Sequence, residues 1–177
     1  MSIPYDAIAK VPTFTLTSTD VTEGCTLANP QLSTVFGSGG DDVSPQLSWE
    51  GFPAETKSFV VTLYDPDAPT TAGFWHWAVA DIPVSCTSLP TNAGDKEGAA
   101  LPTGSFPLKN DGGVTHFVGA APPQGHGKHA YHFAVHAVDV ETLGLDKDTA
   151  SPSFLGFNLH FHTLARAVMT CYYEAKE

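Results

Sequence analysis

Short runs of β-branched and aromatic residues, each closed by glycine or proline, constrain the fold of this chain more than any other feature. The clearest run is Ser58 to Tyr64, Ser-Phe-Val-Val-Thr-Leu-Tyr, which has the composition of a central strand. It leads directly into Asp65-Pro66, where proline ends regular pairing because it has no N–H to donate. With 16 glycines and 14 prolines among 177 residues, the chain can reverse direction many times, so many short strands are expected.

Most of the remaining chain follows the same pattern. Further strands are predicted at 13–17, 46–49, 74–81, 114–119, 130–140 and 169–174. In the strand at 130–140, alternation places Tyr131 and Phe133 on one face and His132 and His136 on the other. These elements predict a β-sandwich that carries peripheral helices.

One segment near the C-terminus has a helical pattern instead. Apolar residues recur there at steps of three and four, as in an amphipathic helix: Phe157, Phe161, Leu164, Ala165 and Val168. Asn158 is expected to cap this helix or to lie in its first turn.

The length and charge of the chain narrow its class and its partners. A chain of 177 residues with 42% hydrophobic and 15% charged residues is expected to fold as one domain, 1–177. Its net charge of −11 argues against nucleic-acid binding and against a basic membrane-binding patch. Neither a signal-type N-terminus nor a run of transmembrane length is visible, so a cytoplasmic protein with at most peripheral membrane contact is expected.

The first candidate site motif is Asp65-Pro66-Asp67-Ala68-Pro69, with His76 seven residues further on between Trp75 and Trp77. The two prolines fix the angles at which the carboxylates are presented. Asp65 is predicted to line a pocket as an acceptor or as the group that orients a histidine, the alternative being that both acids only bond to the turn backbone. His76 is either a proton-carrying donor to a bound anion or a satisfied buried polar group.

The second motif is the loop Gly119-Ala120-Ala121-Pro122-Pro123, which leads to His129 and Tyr131. The N–H groups that precede the prolines are predicted to form an anion-binding concavity, unless the loop is only a rigid connection. His129 and Tyr131 share one side of the next strand and can face one site. If the fold brings the two motifs together, they form a small pocket suited to phosphate or another compact anion.

Other chemistry finds less support in the sequence. Eight histidines do not have the spacing of a zinc site, so no metal and no cofactor are expected. The cysteines, Cys25, Cys86 and Cys171, are predicted to be reduced and mostly buried. No nucleophile elbow or nucleotide-binding loop is present. Arg166, the single arginine, is expected to form an internal ion pair or to clamp a carbonyl.

With these residues in view, the chain resembles the phosphatidylethanolamine-binding protein family, in particular its bacterial and archaeal Raf-kinase-inhibitor-like branch. The resemblance runs from about Phe14 to Glu174 and rests on Ser44-Pro45 with Trp49, on the two site motifs, and on Ile82-Pro83. It implies an antiparallel two-sheet β-sandwich with a C-terminal helix and an anion pocket at one end. The pocket residues that it implies are Asp65, His76, Gly119, Ala121, Pro122, His129 and Tyr131, with Asp67, Pro69 and Trp75 at the rim. Where the family usually has an arginine, this chain has Ala130, so a salt bridge to Asp67 is missing.

The resemblance implies a non-catalytic protein that binds phosphate-type anions, such as the phosphoryl headgroup of phosphatidylethanolamine. Two alternatives remain open at this point. One is an inhibitor of a protein kinase or protease partner, and the other is a small hydrolase that uses an Asp-His pair as general acid and base. Either a monomer or a homodimer is compatible with the sequence.

Overall fold

The computed structural model describes residues 3–176 and confirms a mainly β fold with two antiparallel sheets. The strands are β1 (Thr15–Thr17), β2 (Leu47–Glu50), β3 (Ser58–Asp65), β4 (Phe74–Pro83), β5 (Ser88–Leu89), β6 (Phe106–Pro107), β7 (His129–Val138) and β8 (Thr163–Tyr173). Helix α1 spans Pro152–His162, and two single 3-10 turns span Pro4–Ala7 and Asn29–Gln31. The smaller sheet has the order β1-β2-β5 and the larger sheet the order β6-β4-β3-β7-β8. Nowhere in residues 3–176 is a helix both long and apolar enough to cross a bilayer.

The main hydrophobic core lies between the two sheets. Trp49 of the smaller sheet packs edge-on against Phe59 of the larger one, with ring centroids 5.4 Å apart. Strand β7 is buried along its whole length, and Tyr131 and Phe133 contribute to this core. A second cluster lies on the opposite face of the larger sheet, where Leu155 and Leu159 of α1 cover it. The larger sheet is therefore packed on both faces.

The predicted helix is present but lies earlier in the chain. Its N-cap is Ser151, whose hydroxyl accepts the N–H of Phe154, and Pro152 occupies the first turn. Asn158 is not the cap; it lies in the second half of the helix and donates to the Phe154 carbonyl over 2.9 Å. Leu164, Ala165 and Val168 belong instead to β8, which begins at Thr163.

The helix is also not amphipathic in the predicted sense. Phe157 and Phe161, which were expected to face the core, are both 61% exposed. The buried face is formed by Pro152, Leu155 and Leu159. Because both faces of the helix carry apolar residues, the apolar spacing at 157–168 does not indicate which face is buried.

The strand predicted at 114–119 is wrong: this segment is irregular. The side chain of Asn110 organises it instead of a β-ladder. Its amide nitrogen donates to the carbonyls of His76 and His116, and its oxygen accepts the N–H of Gly112 over 2.9 Å. A buried amide that satisfies several backbone groups leaves them unavailable for regular strand pairing.

Candidate functional site

The two motifs meet at one end of the larger sheet. Strands β3 and β7 are antiparallel neighbours, so the residue that ends β3, Asp65, lies beside the residue that begins β7, His129. The imidazole Nδ1 of His129 is 2.8 Å from Oδ2 of Asp65, and both side chains are buried. Because an ionised carboxylate can only accept, His129 donates its Nδ1–H in this bond. The pairing directs Nε2 of His129 away from Asp65.

Asp65 also organises its own turn. Its Oδ1 accepts the backbone N–H groups of Asp67 and Ala68 at 2.8 and 3.1 Å. The two sequence interpretations of Asp65 therefore apply together: one carboxylate oxygen closes the turn and the other orients the histidine. The carboxylate position is fixed by three hydrogen bonds, which holds His129 in one orientation.

A second imidazole covers the free side of His129. Nδ1 of the exposed His126 lies 2.7 Å from Nε2 of His129. When His129 is neutral, its Nε2 has no proton, so His126 is the donor in this bond. Any ligand that uses Nε2 of His129 must displace His126.

His76 reaches the site because β4 is irregular at this point. Leu63 pairs with Trp77 and Tyr64 pairs with Trp75, so His76 lies in a bulge. In an unbroken strand, alternation predicts that His76 faces away from both Trp75 and Trp77. The bulge makes this wrong for Trp77, which packs in the same inter-sheet core that His76 borders.

The hydrogen bonding of His76 fixes its chemical role. Its Nδ1 donates to the carbonyl of Val118 over 2.8 Å, and burial lowers the pKa of this histidine below its usual value. His76 is therefore neutral at pH 7, with an unprotonated Nε2. In this state Nε2 can accept a hydrogen bond but has no proton to donate.

These groups border a cavity of about 210 Å³ at the end of the sheet. Seven residues named from the sequence line it: Asp65, Pro69, His76, Gly119, Ala121, Pro122 and His129. Six more complete the wall: Phe36, Ala68, Thr70, Phe74, Val118 and Pro123. The volume is below the range typical of drug-sized ligands, so the cavity suits a compact group.

Tyr131 lies behind the cavity wall rather than on its surface. Its ring centroid is 5.4 Å from that of His76 and 6.4 Å from that of His129. The hydroxyl is buried and makes no hydrogen bond within residues 3–176, and burial, together with the charge of Asp65, raises its pKa. Tyr131 therefore holds an unused O–H donor beside both histidines.

The loop N–H groups are less available than the sequence predicted. Gly119 donates its N–H to Oδ1 of Asp42 over 2.7 Å, and Ala120 donates to the carbonyl of Gln31 over 2.9 Å. Two of the three expected donors are thus used internally, and the anion-binding concavity at Gly119 is not formed. Gly119 is required for packing instead, because a Cβ there would lie 2.3 Å from the carbonyl carbon of Leu32.

Two of the three expected rim residues, Asp67 and Trp75, do not line the cavity. Oδ2 of Asp67 accepts the N–H of Ala130 over 2.8 Å, so a backbone bond ties this wall in place of the missing arginine salt bridge. Trp75 packs against Tyr64, with centroids 4.3 Å apart, and lines a different cavity on the other face of the sheet. Trp75 is paired regularly with Tyr64, so strand alternation places it on the face of the sheet opposite His76 and the pocket.

Sequence reasoning missed several residues that shape the cavity. Phe36 stands at its rim, is 74% exposed, and has a φ of 58°, which is unusual for an aromatic residue. Asp42, which anchors Gly119, also has a positive φ of 54°. Phe36 could have been suspected from the sequence, because it is an aromatic residue beside a glycine-rich loop. No sequence pattern predicts the contact between Asp42 and Gly119, which are 77 residues apart. Within residues 3–176 no cluster of three His, Cys, Asp or Glu side chains is arranged to hold a metal ion.

A family model, curated relatives and a solved structure all match this chain over most of its length. A family model described as phosphatidylethanolamine-binding protein matches residues 17–174. YbhB of Escherichia coli is 44% identical over 159 residues, covering 90% of this chain and 99% of YbhB. YbcL of the same organism is 42% identical over 168 residues, covering 95% of this chain and 91% of YbcL. The crystal structure of YbcL superposes with a TM-score of 0.89 over 92% of this chain and 99% of that structure.

Proposed function

Since the chain belongs to the phosphatidylethanolamine-binding protein family, we propose that its end-of-sheet cavity binds phosphate-type anions without catalysis. The preferred ligands are phosphoryl groups of small organic esters, including lipid headgroups. The observation that carries this proposal is the buried 2.8 Å hydrogen bond between Asp65 and His129 at the wall of a compact cavity. It holds one imidazole nitrogen at a fixed position for a ligand oxygen.

The donors and acceptors around the cavity suit a phosphoryl group that carries or shares a proton. His129, once protonated, donates through Nε2. Tyr131 does not line the cavity, and its ring packs beside both imidazoles from behind the wall. The unprotonated Nε2 of His76 accepts a proton held by the ligand. Charge-assisted hydrogen bonds of this kind contribute about 1.5–3 kcal/mol each.

Binding is coupled to proton uptake in this scheme. Neutral His129 has no proton on Nε2, because Nδ1 carries it for Asp65. A phosphate oxygen that carries no proton can therefore bind to Nε2 only if this nitrogen takes up a proton. The chain as a whole has a net charge of −11, so the cavity selects against additional negative charge on the ligand.

The rim favours an organic ester over the inorganic ion. Phe36 exposes most of its ring at the cavity mouth although its backbone lies in the left-handed region. Strained residues of this kind cluster at binding sites. An alkyl or ethanolamine group attached to the phosphoryl group gains contact with this ring, whereas inorganic phosphate gains none.

Calorimetric titration of the full chain with O-phosphoethanolamine and with inorganic phosphate tests the proposal. We expect both to bind in the same site and the ester to bind more tightly. The decisive variant is His129→Asn, because the asparagine amide nitrogen takes the approximate place of Nδ1 and keeps the bond to Asp65, while Nε2 is removed. Binding is expected to be lost in this variant.

His160→Asn is the matched control, since His160 is an exposed histidine on α1, away from this cavity. It should bind O-phosphoethanolamine as the unchanged protein does. A folded His129→Asn protein with undiminished affinity would exclude this cavity as the anion site.

One observation also favours hydrolysis as a second candidate. The Asp65–His129 pair has the geometry of a general base and its orienting acid. Among the residues that line the cavity, Thr70 has the hydroxyl that could act as a nucleophile. This hydroxyl instead donates to the Gly73 carbonyl over 2.6 Å. A hydrolase at this site would thus have to activate a water molecule. Turnover of phosphomonoesters or carboxyl esters by the unchanged protein, lost in His129→Asn, would establish hydrolysis in place of simple binding.

A further inference from the structure

A second cavity, of about 250 Å³, lies on the opposite face of the larger sheet. Its walls are the outer faces of β3, β7 and β8, the buried side of α1, and the N-terminal segment around Tyr5. It shares no lining residue with the anion cavity. The proposed phosphate-binding function does not use it.

Arg166 gives this cavity a positive charge that no carboxylate within residues 3–176 pairs with. Two roles were predicted for the Arg166 side chain, an internal ion pair or a carbonyl clamp, and within residues 3–176 it forms neither a salt bridge nor a hydrogen bond to a carbonyl. Its Nε donates to Nδ1 of His136 over 3.1 Å, and its guanidinium carbon lies 5.0 Å from the ring centroid of Tyr5. The terminal N–H groups of a half-buried guanidinium are left for another acceptor, in a chain that is otherwise strongly acidic.

The neighbouring polar groups cannot supply the missing negative charge. His136 accepts from Arg166 on Nδ1, so its proton is on Nε2, which faces the Thr62 hydroxyl at 3.3 Å. The hydroxyls of Tyr5 and Thr163 are buried and make no hydrogen bond with residues 3–176. One side of the cavity therefore offers several donors without an acceptor.

The other side of the cavity is apolar and contains unfilled space. Leu155 and Leu159 of α1 line it. Gly156 lines it as well, and a Cβ at this position would meet no atom within 4 Å. Glycine in a helix interior is unfavourable relative to alanine, and neither packing nor a positive φ requires it here. Gly156 is exposed at the edge of the cavity, so a longer side chain at this position has room to extend across it.

From the unpaired Arg166 and the open apolar space beside it, we propose that this cavity binds a short-chain carboxylate amphiphile. The carboxylate accepts from the guanidinium, whose planar geometry suits bidentate pairing. The alkyl chain packs against Leu155 and Leu159 beneath α1. A monoanion matches the single positive charge, whereas the acidic protein disfavours a dianion. The volume lies below the drug-sized range, so the chain is short.

Titration of the full-length protein with sodium octanoate, followed by calorimetry and by amide chemical shifts, tests this inference. Octan-1-ol and octylammonium are the comparison probes, since they keep the chain and change the charge. Octanoate should bind at least tenfold more tightly than either. Equal affinities for octanoate and octan-1-ol would overturn the role of Arg166.

Two variants locate the site independently. Arg166→Met should reduce octanoate affinity to that of octan-1-ol. Gly156→Leu should place a side chain across the edge of the cavity and abolish octanoate binding while the circular dichroism spectrum is retained. If Arg166→Met fails to fold, Gly156→Leu still tests the site. We expect Gly156→Leu to fold because leucine has a better helix propensity than glycine.

Phe157→Leu, on the exposed face of the same helix, is the control and should bind octanoate normally. O-phosphoethanolamine binding should be unaffected by Gly156→Leu, which separates this site from the anion cavity. Undiminished octanoate binding by a folded Gly156→Leu protein would refute the assignment.

Discussion

Oδ2 of Asp65 lies 2.8 Å from Nδ1 of His129, although the two residues are 64 positions apart in the chain. This bond determines which nitrogen of His129 carries the proton when the ring is neutral. It also places a negative charge close to the position at which an anionic ligand would bind. The two effects can be separated by a substitution that keeps the shape of the side chain.

Asp65→Asn is expected to increase phosphate affinity rather than to abolish it. The amide oxygen remains on the two turn N–H groups, so the amide NH₂ faces Nδ1 of His129 and forces the proton onto Nε2. The variant then offers a ready donor and lacks the repelling charge, and affinity for O-phosphoethanolamine should rise about threefold to tenfold at pH 7.

Calorimetry in buffers of different ionisation enthalpy provides the readout, because the variant should take up fewer protons on binding. A hydrolase that uses His129 as a base would instead lose its activity in Asp65→Asn. Loss of binding in the folded variant would mean that the carboxylate itself contacts the ligand.

His126→Ala is expected to strengthen anion binding. His126 occupies Nε2 of His129 at 2.7 Å, so a ligand must first break this bond, whose net contribution is about 1 kcal/mol. Removal of the competing imidazole should raise affinity for O-phosphoethanolamine about fivefold, as measured by calorimetry. Gln124→Ala, an exposed change in the same loop, should leave affinity unchanged. Weaker binding by His126→Ala would show that this imidazole contacts the ligand directly.

Acid should destabilise the fold through His136. Burial, followed by the nearby charge of Arg166, lowers the pKa of this histidine to about 3. As the pH falls from about 6.5 toward 3, the unfolded chain gains a proton that the folded chain does not, so the free energy of unfolding decreases. The full effect for one such group is at most about 5 kcal/mol.

Urea unfolding between pH 7.5 and 4 measures this effect. His136→Gln should show a shallower loss of stability on the acid side, since glutamine does not titrate and can still accept from Arg166. The pKa values of His76 and His132 are also lowered by burial, so some acid sensitivity will remain. An unchanged slope in His136→Gln would contradict a neutral buried imidazole at this position.

Cys25 and Cys171 are expected to form a disulfide when treated with oxidised glutathione. Their sulfur atoms are 3.2 Å apart, and the Tyr172 N–H donates to the Cys25 carbonyl over 2.8 Å, which holds the two segments together. Burial raises the pKa of Cys171, so the half-exposed Cys25 supplies the attacking thiolate. It displaces one glutathione thiolate, and the Cys171 sulfur, after losing its proton, displaces the second from the mixed disulfide.

The product should contain one free thiol instead of three and should be more stable by about 3–5 kcal/mol, because the bond closes most of the chain into a loop. Intact-mass spectrometry after alkylation, together with urea unfolding, gives both numbers. Cys86→Ser should oxidise normally and Cys25→Ser should not. If Cys25→Ser also lost two free thiols on oxidation, the Cys25–Cys171 pairing would be contradicted.

The sequence predicts well those parts of the structure that depend on local pattern. Strand β3 has a run of β-branched residues and a proline directly after it, so its end at Asp65 is readable from the chain. The alternation in β7 correctly separates Tyr131 from His132. Because β3 and β7 are neighbours, the meeting of Asp65 and His129 follows from strand ends that were predicted to within one residue.

Features that depend on distant contacts were not predictable in this way. The irregular segment at 114–119 has the composition of a strand, but the Asn110 side chain occupies its backbone groups. The bulge at His76 arises from the pairing of β4 with β3. The use of the Gly119 N–H by Asp42 depends on a loop that lies 77 residues away. In each case a side chain or a register shift outweighs a local preference.

Strand β7 is enclosed on both faces, and side chains on its two faces border different cavities: His129 borders the end-of-sheet cavity and His136 borders the cavity with Arg166. Residues seven positions apart on one strand therefore border two separate cavities. A substitution at 136 can change the lining of the cavity beside Arg166 without altering any residue that lines the other cavity.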